Sequence, residues 1–197
     1  PLDLRGHLLE LEHLIEQAKP ARGWDWSLYR PFVELALEFD LPIVAANLSR
    51  ADAMRAATQG FAAVFDEPTR RRAALDALPA ALMAAHEQAV DDGHCNRMPA
   101  DALPAMARAQ IARDLALAEA IRPHFGRGVV LLTGNGHART DIGVPFFLNE
   151  AERARTIAIG LLEEDNAGND WRSRFDVAFG SPAQPREDPC ASLPTRR

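Results

Sequence analysis

The residues best placed to do chemistry stand in the run VVLLTGNGHARTD, Val129 to Asp141. An apolar stretch ends in two glycines, and His137, Arg139 and Asp141 follow on the same loop. A histidine can ligate iron or another metal, or move protons near neutral pH. An arginine grips carboxylates and other anions with a planar fork. Gly134 and Gly136 suit a sharp turn and a close backbone approach to a ligand. Val129 to Thr133 reads as a buried strand, which puts His137 just past its carboxyl end, where open α/β sheets bind ligands. The same string also reads as a plain strand-to-helix turn capped by His137, because G-x-G alone is an unspecific signal.

Other residues fall into small constellations. Asn47 follows a second apolar run, LPIVAAN, and Arg50 comes three residues later in the first turn of a helix. A cation there opposes the helix dipole and makes more sense facing an anion; a turn-closing Asn and a solvated Arg are the plain alternative. Gln110 and Asp114 sit four apart in the middle of an apolar helix face made by Leu103, Met106, Ala107, Ile111, Leu117, Ala118 and Ile121. A buried carboxylate without a partner is costly, so an arginine, a loop backbone or a ligand site is expected to meet it. Arg113 flanks the same face. His94 and Cys95 adjoin in a loop, too close together for a zinc pair, though each is a potential ligand. Tyr29, in the WDWSLYRP cluster, can bind ferric iron as a phenolate or simply anchor packing. His86 shares a helical line with Leu82 and Val90 and reads as core.

These residues need a scaffold. Apolar spacing predicts helices over Leu4–Ile15, Ser27–Phe39, Glu67–Val90 with a break near Pro79, and Asp101–Ile121, the longest. Ser49 with Asp52 resembles a capping box at the start of another helix. Buried strands are expected at Leu41–Asn47, Val129–Thr133, Arg155–Leu162 and Phe175–Gly180. Alternating helices and strands argue for an α/β layered domain with a mostly parallel or mixed central sheet flanked by helices. We expect it to span residues 1–180, with an irregular tail over 181–197. About four strands is few for such a sheet, and the first follows two helices, so the domain is expected to lack its N-terminal strands.

The 197 residues carry a net charge of −6, with 47% hydrophobic and 25% charged residues. A soluble globular composition follows, and the acidic balance argues against nucleic acid as a partner. Lys19 is the only lysine. No stretch approaches the ~20 apolar residues of a membrane span. Cys95 and Cys190 can pair in an oxidising compartment, which composition leaves open.

Together these pieces resemble the ChaN-like haem-binding uptake family of the Tiki superfamily. The resemblance rests on WSLYRP (Trp26–Pro31), LPIVAANLSR, the His94-Cys95 loop, AQIARD (Ala109–Asp114), VVLLTGNGHARTDIGVP and the late Asp188-Pro189-Cys190, with GNGHAR followed by GVP as its most specific part. It implies an α/β domain, an envelope protein linked to haem or iron uptake and often lipid-anchored, and two haems packed at a homodimer interface. It implies His137 or Tyr29 at iron, and Arg50 and Arg139 at propionates. The superfamily's metal-dependent hydrolases use G-x-x-H motifs, which Gly134 to His137 fit. The family's opening G-E-x-H motif is absent here, in keeping with missing strands. Haem binding without catalysis is therefore the expectation. A metal-dependent hydrolase with His137 as metal ligand, and an interaction module with a vestigial site, are the alternatives.

Overall fold

The computed structural model describes residues 26–163, 169–185, 188 and 190–191. The expected helix over Leu4–Ile15 lies outside them. The chain divides between Ala45 and Ala46 into two compact units. In the first, helix α1 (Trp26–Glu38) contains Pro31 at its sixth position, where the missing N–H forfeits one i→i−4 hydrogen bond.

The second unit is a helical stack with a small sheet. Helix α2 (Arg50–Gln59) starts at Ser49, whose side chain accepts the Asp52 N–H, as the capping-box pattern predicts. Helix α3 (Glu67–Arg72) is capped by Asp66, and α4 spans Ala80–Gly93 behind Pro79. The long helix α5 (Leu103–Ile121) is the spine. Small residues let α2 lie close against it: Ala53 and Ala57 meet Ala109, and the Arg108 guanidinium donates to the Ala57 carbonyl at 2.7 Å. On its other side Ile111, Leu115, Leu117, Ala118 and Ile121 build the main core with Leu75, Val144, Phe147 and Leu148. Arg122 ties the end of α5 to Glu152 at 2.7 Å and to the Phe147 carbonyl at 3.0 Å. Glu152 is itself half of a capping box with Asn149 on the short helix α7 (Glu150–Arg153).

Strands β1 (Ile159–Glu163) and β2 (Val177–Ser181) pair in parallel, with Ile159 opposite Val177 and Leu161 opposite Phe179. Parallel strands need a crossover, and it includes α8 (Asn169–Arg172). The fold is α/β with low strand content.

Two expected strands are corrected. Leu41–Asn47 and Val129–Thr133 have no ladder among the described residues. Nor is the second run buried: Val130 is 93% exposed, while Leu131 alone turns inward onto the core. The segment is extended, with one apolar face packed and one open. Its end does reach β1, but through a side chain. Asn135 Nδ2 donates to the Leu161 carbonyl at 2.5 Å, and its Oδ1 accepts the Leu161 N–H at 3.2 Å. A side-chain amide thus occupies the ladder position that a neighbouring strand's backbone would fill.

Candidate functional site

The extended run Val129–Thr133 leads into a single helical turn, α6 (Asn135–Ala138), which carries His137. The turn sets His137 against α5. Its Nδ1 lies 2.6 Å from Asp114 Oδ1. Asp114 is 1% exposed and one of the largest fully buried side chains; the His137 side chain is 21% exposed. The carboxylate expected to need a partner meets the histidine expected to do chemistry.

Burial pushes the Asp114 carboxyl up to about 6, against the opposite pull of the His137 hydrogen bond and of the His137 and Arg139 charges. With the carboxylate ionised, the imidazole proton belongs on Nδ1, and Nε2 keeps its lone pair. A carboxylate behind a histidine fixes the ring's tautomer and orientation, the usual support for a metal-ligating imidazole.

The rest of the loop is tied inward. Arg139 is 5% exposed and bidentate to Asp141, at 2.9 and 2.6 Å. Burial opposes ionisation of Asp141, but the Arg139 hydrogen bond and charge outweigh it and its pKa is lowered. The Trp171 ring has Arg139 5.8 Å from its centroid and Arg174 5.0 Å, within cation–π range. Thr140 donates its N–H and its hydroxyl to the Arg174 carbonyl. Arg139 therefore holds the loop together, and its fork is occupied.

The glycines need a correction too. Gly134 is extended at φ −68°, and Gly136 is not at positive φ. A Cβ at either would meet nothing within 4 Å. None of the described residues requires glycine at these positions. What they leave is open space over the backbone beside His137.

The other expected residues are distributed as follows. Asn47 Oδ1 accepts from Arg113 Nη1 at 2.9 Å, and the same nitrogen donates to the Leu48 carbonyl at 3.1 Å. Arg113 thus meets the Asn47 turn, not Asp114, its sequence neighbour. Burial lowers the Arg113 pKa. Arg50 is exposed and pairs with none of the described residues. Gln110, one turn before Asp114 on α5, is half-buried and makes no hydrogen bond to them either. His94 Nδ1 contacts the Val90 carbonyl at 2.7 Å as α4 ends, beside the disulfide Cys95–Cys190. Tyr29 stands on α1 in the first unit.

Sequence reasoning missed one neighbour. His86, 3% exposed, is core as expected. Its ring also faces the Ile142 backbone and interacts with the charges of Arg139, His137 and Asp141. Only its spacing with Leu82 and Val90 hinted that it faces inward; nothing local points to the loop.

Set in an α/β frame, the site is a carboxylate-backed histidine with open backbone beside it. Residues 4–148 match the family described as haem-binding uptake, Tiki superfamily, ChaN. The chain belongs to that family. No curated protein and no solved structure matches it. No helix among the described residues is long and apolar enough to cross a membrane.

Proposed function

We propose that the chain binds haem at the His137 loop, with His137 Nε2 as the iron ligand. The observation that carries this reading is the Asp114–His137 pair. It occupies Nδ1, orients the ring and leaves Nε2 as the donor, the arrangement of a proximal histidine. The donor set fits haem better than a bare ion. Among the described residues no cluster of three or more His, Cys, Asp or Glu is arranged to hold a metal, and a porphyrin brings its own equatorial nitrogens. The absence of any neighbour above Gly134 and Gly136 supports close approach of a flat ligand. For the propionates, Arg50 is the available cation, whereas Arg139 is committed to Asp141. Gln110 is a polar contact within reach of the same helix face, and Asn47 holds Arg113 beside it. Tyr29 and His94 are secondary candidates.

Within this proposal the protein serves haem or iron uptake in the cell envelope, as a homodimer held to the membrane through a lipid anchor. The Cys95–Cys190 disulfide supports an oxidising compartment. Two measurements test the reading. In a haem titration, wild type should give a Soret shift characteristic of histidine ligation, and His137→Ala should lose it. No Soret shift with wild type at micromolar haem would sink the proposal. Stoichiometric zinc or manganese, with hydrolysis lost in His137→Ala, would instead favour a metal-dependent hydrolase.

A further inference from the structure

The glycine on which the loop depends is Gly143, six residues beyond His137. Its backbone, at φ −82° and ψ −158°, is open to any residue, so conformational freedom is not the reason. Space is. A Cβ there would stand 2.3 Å from the His137 carbonyl oxygen, 2.7 Å from the His137 carbonyl carbon and 2.7 Å from the Arg139 oxygen. These are backbone atoms and cannot swing aside like the end of a side chain. The Gly143 N–H donates to the Arg139 carbonyl at 3.0 Å, and the His137 N–H to the Gly134 carbonyl at 2.9 Å. The chain from His137 to Gly143 therefore closes on itself with no room for a methyl group.

His86 braces the same closure from α4. Its ring faces the backbone of Ile142, the residue before Gly143, and its Nε2 is buried with no partner among the described residues. Burial holds the ring neutral, with its pKa lowered to about 4. A buried imidazole with an unsatisfied nitrogen is costly. It is tolerated here where the ring backs the loop that carries His137.

We propose that Gly143 and His86 are positioning residues for His137: Gly143 by leaving the space in which the loop closes, His86 by fastening Ile142. Together they set the direction in which His137 Nε2 is presented. The inference rests on the reading of His137 as a ligand-presenting side chain, but it is tested first without ligand. The Nδ1–H of His137, hydrogen-bonded to Asp114 at 2.6 Å, should give a far-downfield proton resonance, assigned by its loss in His137→Ala. In Gly143→Ala, shown to be folded by near-UV circular dichroism, that resonance should move or vanish. Haem affinity should then fall by ~10-fold or more, as when a supporting residue behind a metal ligand is lost. His86→Leu should perturb the resonance as well, and His86→Gln, which keeps a polar side chain against the Ile142 backbone, should restore it.

A folded Gly143→Ala protein with the resonance unmoved would overturn the proposal. Should that variant not fold, the His86 pair decides: loss in Leu with retention in Gln supports it, and retention in Leu overturns it. Absence of haem binding by wild type would defeat the haem reading alone, because the resonance is read in the ligand-free protein.

Discussion

Replacing His137 by alanine leaves Asp114 in place, 1% exposed, and removes the hydrogen-bond partner it has at 2.6 Å. Breaking a buried charged pair from one side costs about 3–5 kcal/mol when the remaining charge stays put. The carboxyl has an escape, because it can take up a proton. Burial already pushes it up to about 6 while His137 pulls the other way, so without His137 it must rise further. A carboxyl with its folded pKa raised above its unfolded value contributes full stability only at low pH. That contribution is lost as pH climbs from the unfolded value of 3.8 through the folded one, at about 1.4 kcal/mol per unit. Wild type already carries the gap between 3.8 and about 6, so His137→Ala adds only the further rise, about 1.4 kcal/mol for each unit. Urea unfolding followed by circular dichroism should therefore show His137→Ala destabilised at pH 7.5, by no more than the about 3–5 kcal/mol of a charge left unpaired. Near pH 4.5 only the smaller loss of ring packing should remain, ~1 kcal/mol. Adding Asp114→Asn to His137→Ala should recover much of the neutral-pH loss, since it removes the charge and keeps the shape. An equal penalty at both pH values, or a double variant no more stable than His137→Ala, would refute the pairing.

Three further outcomes follow from the same contacts. Cys95→Ser should lower stability by up to about 4–5 kcal/mol, the loop-entropy value for a crosslink spanning ~100 residues, and reductant should reproduce the shift in a calorimetric scan of wild type. The neutral, buried His86 is a base with a depressed pKa, so the stability it permits is present above the ordinary histidine value of 6.5 and lost as pH falls towards about 4. His86→Leu should flatten that acid limb, worth up to about 3 kcal/mol, in urea midpoints measured across this range. Ser49→Ala removes the acceptor for the Asp52 N–H and should cost about 1 kcal/mol, readable as a lower urea midpoint.

Much of the helical part was legible. The apolar stripe on α5 places Gln110 and Asp114 inward, and the demand that Asp114 find a partner is a local inference. The identity of that partner is not. His137 lies 23 residues away, and only the turn Asn135–Ala138, docked by Asn135 onto Leu161, brings the two together. The two lost strands fail for a related reason. Leu41–Asn47 and Val129–Thr133 have strand-like composition, but a ladder needs a neighbour, and strand propensity reflects its surroundings more than the chain itself. Composition suggested burial of Val130, whose exposure is set by what packs over it. The glycines repeat the lesson. Gly134 and Gly136 form a recognisable pattern and meet no neighbour, whereas Gly143, in the GVP that follows, is wedged against two carbonyls. A motif announces local geometry; close approach belongs to the folded chain. The Arg139–Asp141 pair, two residues apart, had its signal in the sequence, where it competed with the thought that Arg139 was free for a ligand.

The Cys95–Cys190 link makes the chain between them a covalent macrocycle. Asp114, His137, Arg139, Asp141 and both strands lie within that ring, and His86 lies outside it on the lead-in. One backbone cut anywhere in the ring linearises it without parting the molecule. A protease-nicked protein should thus migrate as one species until reduced, and the two sides of the Asp114–His137 pair should stay at high effective concentration and able to re-form. The site is in this sense insured against a single break in its own half of the chain.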